Sequence, residues 1–168
     1  MSKDRAELFR EVGEAFRFNG QGQDAMDAAA AAFLGIHRTD LALLDILQTG
    51  GRMSAGELAK RGALSPAAVT AALDRLERVG YVRRVRDEQD RRRVLVEVTE
   101  EMLADAQEIY GPLAARAEEL LGPYSDEQLR AMIEVLRRGT EMQLERAAAL
   151  REKVSAAPAA GPRRAAGR

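Results

Sequence analysis

Apolar residues recur every three or four positions along most of the chain, and this spacing predicts a mainly helical protein. The first helix is expected over residues 4–18, with charged residues on the side opposite its apolar face, and the helical pattern resumes at Met26, Ala30 and Phe33. Gly20 and Gly22 interrupt this pattern, and because glycine disfavours helix we expect a break or a bend there. Short β-branched runs replace the helical spacing around residues 81–98, which predicts one small β-hairpin within a mainly α fold.

Three short helices are predicted between the first helix and the hairpin. Thr39 or Asp40 can cap the first of them, which is rich in leucine and ends at a Gly-Gly pair. Ser54 and Glu57 have the spacing of a capping box, so the next helix is expected to begin there and to end at Gly62. Three helices of this length and spacing are typical of a helix-turn-helix, in which the last helix enters the major groove of DNA.

The last of these short helices is expected to begin at Pro66, because Ser65 can cap it and proline lacks an N–H that would have no partner there. Its buried stripe is predicted to comprise Val69, Leu73 and Leu76. Thr70 and Arg75 are expected on the outer side, where Thr70 can contact a thymine methyl or a phosphate, and Arg75 a phosphate or a guanine edge. Ser65 can bind a phosphate in addition to capping the helix.

The hairpin, called the wing below, is predicted from two β-branched runs, residues 81–85 and 94–98, on either side of a polar turn at residues 87–90. Residues 83–93 contain six arginines and three acidic residues, so the wing is positively charged where duplex DNA is negative. A solvated charged hairpin with no role in binding is the alternative interpretation.

The charge distribution favours nucleic acid as the partner, although the chain as a whole has a net charge of −1. Eleven basic and seven acidic residues lie between Arg52 and Thr99, which leaves a net charge of −5 for the rest of the chain. The positive charge is therefore concentrated around the helix-turn-helix and the wing.

Two long helices are predicted after the wing, the first starting at Thr99 and the second, capped by Ser125 and Gln128, running to about residue 150. A kink is expected in the first of them at Gly111-Pro112. A small DNA-binding domain does not need apolar faces of this extent, so we expect a second copy of the chain to cover them in a two-fold homodimer. In the alternative interpretation they only cover the core of the monomer.

Composition excludes several other classes of function. The chain has no Cys and one His, which argues against disulfides, thiol chemistry, zinc sites and any other metal centre or cofactor. No Ser-His-Asp order and no phosphate-loop lysine are present, so the chain is not expected to be an enzyme. No apolar run is long enough to cross a membrane, and a soluble, cytoplasmic protein is expected.

Three segments in order, LGIHRTDLALLDIL, SAGELAKRGALSPAAVTAALDRLERVGYVRRV and DEQDRRRVLVEVT, resemble the MarR family of transcription regulators. The resemblance implies a winged helix-turn-helix homodimer that binds pseudo-palindromic operators, most often as a repressor released by a small, commonly aromatic acid ligand. It also implies that the wing-tip arginine, Arg92 with Arg91 as its neighbour, enters the minor groove and is steadied by Asp90. A further pairing of a wing arginine with Asp74 is implied.

One departure from the family pattern is Met102, which stands where a glycine is usual, so the start of the fifth helix is expected to pack differently. His37 and Arg38 precede the second helix and can receive a ligand carboxylate, although a surface or dimer-contact histidine is the simpler interpretation. A winged helix used only for protein contacts remains the alternative function.

The predicted organisation has four parts, an N-terminal dimerisation segment, a winged helix-turn-helix DNA-binding domain, two C-terminal dimerisation helices and a disordered tail, at residues 1–34, 35–99, 100–152 and 153–168.

Overall fold

The computed structural model describes residues 3–156, which form six helices and one two-stranded antiparallel sheet. In chain order the elements are α1 Lys3–Leu34, α2 Arg38–Gly50, α3 Ala55–Gly62, α4 Pro66–Arg78, β1 Val82–Arg86, β2 Val94–Val98, α5 Glu100–Leu121 and α6 Asp126–Ala156. This architecture confirms the predicted mainly α fold with a β-hairpin wing after a helix-turn-helix. Within the described residues, no helix is both long and apolar enough to cross a membrane.

The chain divides into two compact units, Met1–Leu113 and Ala114–Arg168, and the boundary falls within α5. The core of the first unit lies between α2, α3 and α4, with side chains added from α1, the wing and α5. Its fully buried large side chains include Leu43, Leu44, Leu47, Leu58, Val69, Leu73, Leu76 and Met102. The predicted apolar stripe of α4 is therefore confirmed as its buried face.

Local hydrogen bonds explain where the short helices start. The Ser54 hydroxyl accepts from the Glu57 N–H and the Glu57 carboxylate accepts from the Ser54 N–H at 2.8 Å, which confirms the capping box of α3. The Ser54 hydroxyl also donates to the Glu57 carboxylate at 2.6 Å, and the bonds that this carboxylate accepts from the hydroxyl and the N–H of Ser54 lower the pKa of Glu57. The Ser65 hydroxyl accepts from the Ala68 N–H at 3.2 Å and Pro66 takes the first position, so α4 begins where the sequence predicts.

The wing pairs Val82 with Val98 and Arg86 with Val94, in register with the predicted runs. Met53, just before α3, adds an antiparallel bridge to Val96 through two backbone hydrogen bonds of 3.2 and 2.8 Å. The wing is thereby attached through its backbone to the helix-turn-helix, so its root has a fixed position relative to α3.

Two expectations about the first two helices, the break in α1 and the cap of α2, are wrong, whereas a bend of α1 at Gly20 and Gly22 stays a prediction. The helix α1 runs without a break from Lys3 to Leu34, through Gly20 and Gly22. Glycine costs only about 1 kcal/mol in a helix interior, which the surrounding helical sequence offsets. Helix α2 starts at Arg38 after His37, so neither Thr39 nor Asp40 is its cap, and the Asp40 side chain is buried.

Of the two C-terminal helices, α6 starts as predicted but ends later than predicted. Pro112 lies inside α5, which continues to Leu121, and the predicted kink stays a prediction. The second capping box is confirmed, because the Ser125 N–H donates to Gln128 and the Gln128 N–H to Ser125. Helix α6 continues to Ala156, so a disordered tail from residue 153 is wrong at its start, and residues 157–168 lie outside the described part of the chain.

Thr99 connects three elements at the base of the wing. Its hydroxyl donates to the carbonyl of Gly80 at 2.7 Å and accepts from the Met102 N–H at 3.3 Å, so one side chain caps α5 and holds the end of the α4–β1 turn. Gly80 has a φ of +84°, a conformation that favours glycine. Met102, next to this turn, is buried in the core.

We expect Thr99→Ala to lower the free energy of unfolding by about 1–2 kcal/mol, because it removes both hydrogen bonds of a largely buried hydroxyl. Urea denaturation at one fixed protein concentration measures the change. Thr49→Ala is the matched control, since the Thr49 hydroxyl only bonds carbonyls of its own helix, and its effect should stay below about 0.5 kcal/mol. Equal effects of the two substitutions would contradict the connecting role of Thr99.

Candidate nucleic-acid interface

The outer face of α4 presents the side chains expected to meet DNA. Ser65 and Thr70 are both exposed. The Thr70 hydroxyl donates to the carbonyl of Pro66 at 3.0 Å, which uses its only O–H donor and leaves its oxygen lone pairs and its methyl group for other contacts. Ser65 uses its oxygen as the cap acceptor, and its O–H remains able to donate to a phosphate.

The sequence pattern places Arg75 on the outer side of α4. In the structure its side chain does not extend freely from that side but binds Asp40 of α2. Its Nε donates to Oδ2 of Asp40 at 2.9 Å and its Nη2 donates to Oδ1 at 2.5 Å. Only 1% of the Asp40 side chain is exposed, whereas Arg75 keeps 37% of its side chain exposed. The hydrogen bonds to Asp40 raise the pKa of the Arg75 guanidinium. The pair joins α2 to α4.

Asp74, the neighbour of Arg75, forms the predicted type of contact with a wing arginine. Its partner is Arg84 of β1, whose Nη2 lies 2.7 Å from Oδ1 of Asp74, and not Arg91 or Arg92. The same guanidinium also binds Glu77. Arg84 therefore ties the wing to α4, and both carboxylates raise its pKa.

Glu97 of β2 is a second buried carboxylate. It forms ion pairs with two arginines, so their charge is balanced within the protein. Arg83 Nε lies 2.5 Å from its Oε1, and Arg52 contacts its other oxygen. Arg93 lies 3.6 Å from Glu57 and 3.9 Å from Asp87. Three of the six arginines at residues 83–93 thus have carboxylate partners within the wing and its neighbouring helices.

The wing turn is shaped by aspartates that accept backbone hydrogens. Asp87 Oδ1 accepts from the Gln89 N–H at 2.9 Å, and Asp90 Oδ1 accepts from the Arg92 N–H at 3.0 Å. Asp90 therefore steadies Arg92 through the backbone and not through a side-chain ion pair. Among residues 3–156, the guanidinium groups of Arg86, Arg91 and Arg92 form no hydrogen bond or ion pair, so the unpaired guanidiniums of the wing lie at its tip, where Asp87, Glu88 and Asp90 offset their charge.

Sequence reasoning missed Asp40, Arg84 and Glu97 as parts of the interface. Asp40 has the sequence context of an ordinary cap, and its partner Arg75 lies 35 residues away, so no local spacing could identify the pair. Arg84 lies among other arginines of β1, and Glu97 lies between two valines of β2, so the local sequence does not show which of these charged side chains is paired.

One of the two expected effector residues, Arg38, lines a cavity of 340 Å³ together with Asp27 and Asp45. The exposed His37 precedes α2, and Arg38 Nη2 lies 2.9 Å from Asp24 and 3.9 Å from Asp27, so its charge already has partners. A cavity of 920 Å³ lies between α1, α2 and α5 in the first unit, lined by Phe18, Met26, Asp27, Asp45, Tyr110 and Leu113, among others. Burial and the charge of Asp27 raise the pKa of Asp45. Burial and both carboxylates raise the pKa of Tyr110.

Metal ligands are not grouped in the part of the chain that the structure describes. No cluster of three or more His, Cys, Asp or Glu side chains there has an arrangement that could hold a metal ion.

Comparison with known proteins identifies the family. A model of the MarR family matches residues 36–94. The HTH-type transcriptional regulator YcgE of Bacillus subtilis, itself uncharacterised, is 36% identical over 141 residues, covering 84% of this chain and 92% of YcgE. The HTH-type transcriptional repressor YetL of the same organism is 32% identical over 85 residues, covering 51% of each chain.

A MarR family protein from Bacillus stearothermophilus has a similar fold, with a TM-score of 0.62 and 22% identity over 86% of this chain and 99% of that one. The helix-turn-helix, the wing and the extent of the match to YcgE agree with one another. This chain belongs to the MarR family of DNA-binding transcription regulators, which are not enzymes.

Proposed function

We propose that this chain is a cytoplasmic homodimeric repressor that binds a pseudo-palindromic operator and releases it when a small ligand binds. The observation that carries the DNA-binding part is the set of three arginines without partners at the wing tip, beside the exposed face of α4. Repression is proposed from the likeness to YetL, which is named a repressor.

In the proposed complex α4 enters the major groove, with Ser65 and Thr70 near phosphate or base edges. The wing tip reaches the adjacent minor groove with Arg91 and Arg92. A narrow groove has a deeper negative potential, so A·T-rich flanks should bind better than G·C-rich ones. Asp90 contributes by holding the turn in shape, since it accepts from the Arg92 backbone.

A homodimer is proposed from apolar faces that are exposed in each unit taken by itself. In the first unit α1 exposes Leu8, Phe9 and Val12. In the second unit α6 exposes Ile133 and Leu136, which are 55% and 50% exposed. Contiguous apolar faces of this kind are usually buried in protein contacts, and a second copy with two-fold symmetry would also place two α4 helices against two half-sites.

The cavity between α1, α2 and α5 is the proposed site of the small ligand. Its aromatic and aliphatic lining suits an aromatic ring. Asp27 and Asp45 favour a cationic ligand over the aromatic acid that the family resemblance suggests, and Arg38 is already paired with Asp24. The site therefore favours an aromatic cation.

We expect Arg92→Ala to weaken binding to the operator by about tenfold or more, because each wing of the dimer loses a guanidinium in the minor groove. Titration of duplexes selected by the wild-type chain from a random pool, at fixed salt, measures the affinity. Circular dichroism checks that the variant is folded.

Arg130→Ala is the matched control for Arg92→Ala, since Arg130 is exposed on α6 and binds only Asp126 of the same helix. Wild-type affinity should fall steeply with salt, by about 0.9 log units per log unit of salt for each phosphate contact. Unchanged affinity of Arg92→Ala would contradict the wing role. A flat salt response would favour the alternative function, a winged helix used only for protein contacts. A pull-down that captures proteins but no specific DNA would also favour it.

For the dimer, we expect sedimentation equilibrium to give twice the chain mass of 18.4 kDa. Ile133→Asp should shift the mass toward that of one chain, because a charge cannot be buried in an apolar contact without a partner. Arg137→Asp is the control, as it introduces the same side chain at an exposed polar position of α6. A wild-type monomer, or a dimer of the Ile133→Asp variant, would contradict this interface.

For the cavity, we expect Asp45→Asn to raise the melting temperature at pH 7. The pKa of Asp45 in the folded chain is raised above its ordinary value of 3.8, so the protonated carboxyl group stabilises the folded chain at pH values below 3.8. This stabilisation is lost as the pH rises through the raised pKa. The advantage of Asn should therefore shrink as the pH is lowered. Thermal melts across this pH range measure it.

Glu118→Gln, which neutralises an exposed carboxylate outside the cavity, is the control and should show little pH-dependent difference from wild type. Benzyltrimethylammonium should raise the melting temperature of the wild type more than that of Asp45→Asn. Stabilisation by benzoate instead would contradict the cationic assignment.

A further inference from the structure

We infer that Asp40 is a positioning residue for DNA readout, because its buried carboxylate holds the Arg75 guanidinium in one orientation at the surface of α4. The inference rests on the proposed DNA-binding function and assigns a role to a residue of α2 that does not itself reach the DNA-facing surface.

The geometry of the pair leaves Arg75 available to a ligand. A guanidinium has five N–H groups, and the two bonds from Nε and Nη2 to Asp40 use one edge of it. The remaining three N–H groups belong to Nη1 and Nη2, and Nη1 has no hydrogen bond to any residue among 3–156. With 37% of the side chain exposed, these groups can donate to a phosphate oxygen or to a guanine edge.

The burial of Asp40 prevents Arg75 from leaving it to reach further. A carboxylate that is 1% exposed and has lost its only cation would be left charged and unpaired in the core, which is strongly unfavourable. Arg75 must therefore contact DNA while it stays bound to Asp40. Its reach is short and its orientation fixed, which requires the DNA to approach α4 in one register.

Asp74, one position before Arg75, provides the second constraint on α4. Its carboxylate binds Arg84 of the wing, whereas Arg75 binds α2, so consecutive residues of α4 are attached to different elements of the first unit. Two such attachments oppose rotation of α4 about its axis, which apolar packing alone restricts less because it is not directional. A prearranged guanidinium also loses less side-chain entropy on binding.

The experiment compares the affinity for a duplex selected by the wild-type chain with the affinity for a scrambled duplex of the same length. Asp40→Asn keeps one acceptor oxygen but turns an NH₂ group toward the guanidinium, so Arg75 loses its fixed orientation. We expect roughly tenfold weaker binding of the selected duplex. Binding of the scrambled duplex should stay within about twofold, since phosphate attraction does not depend on this orientation.

A second variant keeps the inference testable if Asp40→Asn does not fold. Arg75→Lys retains the charge but cannot bind Asp40 through two N–H groups of a planar fork, and should show the same selective loss. The double variant Asp40→Asn/Arg75→Gln should bind the selected duplex no more weakly than Arg75→Gln alone, because no guanidinium is left to position.

Asp126→Asn and Arg130→Lys are the matched controls, since they change an exposed ion pair within α6 in the same way. Equal losses for both duplexes would show that Asp40 does not act in sequence readout, and additive losses in the double variant would also overturn the inference. If the wild-type chain selects no sequence, the proposed function fails and the inference fails with it. If the wild type selects a sequence and Asp40→Asn binds it equally well, only the inference fails.

Discussion

Burial of the inner face of α4 against α2 and α3 is the interaction on which the proposed DNA interface depends. Each fully buried Val or Leu side chain of this face contributes about 1.5–3 kcal/mol, which holds α4 in place while its other face remains exposed. Apolar burial determines which side of the helix faces inward, but it tolerates small rotations. The ion pairs from Arg75 to α2 and from Asp74 to β1 supply the directional contacts that the apolar face lacks.

Carboxylates around the wing divide its arginines into two groups with different roles. Arg83, Arg84 and Arg93 each bind a carboxylate of the wing or of a neighbouring helix, and their charge mainly serves to attach the wing. Among the described residues, Arg86, Arg91 and Arg92 at the tip form no ion pair. Counting arginines in the sequence therefore overstates the number of guanidiniums that are free to bind DNA, since those that form no ion pair among the described residues lie at one end of the hairpin. A short charged tip suits a narrow groove better than a uniformly charged ribbon does.

Features fixed by neighbouring residues could be predicted from the sequence. The caps at Ser54 and Ser65, the bounds of α4 and the two wing strands depend on spacings of a few residues, and all are confirmed. The pairing of Asp40 with Arg75 could not be predicted, because it depends on how α2 and α4 pack across 35 residues of sequence. The unbroken α1 was mispredicted for a different reason, since Gly20 and Gly22 were judged by local propensity and a small local cost does not end a long helix.

The charge outside the interface also influences how DNA can approach. The residues outside 52–99 carry a net charge of −5, and duplex DNA is repelled by such a surface within about a Debye length, roughly 8–10 Å at physiological salt. The helix-turn-helix and wing carry the opposite charge. In the proposed complex, attraction and repulsion orient the protein before any side chain contacts a base, and the fixed guanidinium of Arg75 acts only after that orientation is reached. In this proposal, long-range charge governs the encounter, whereas the buried carboxylate of Asp40 governs the register of the final complex.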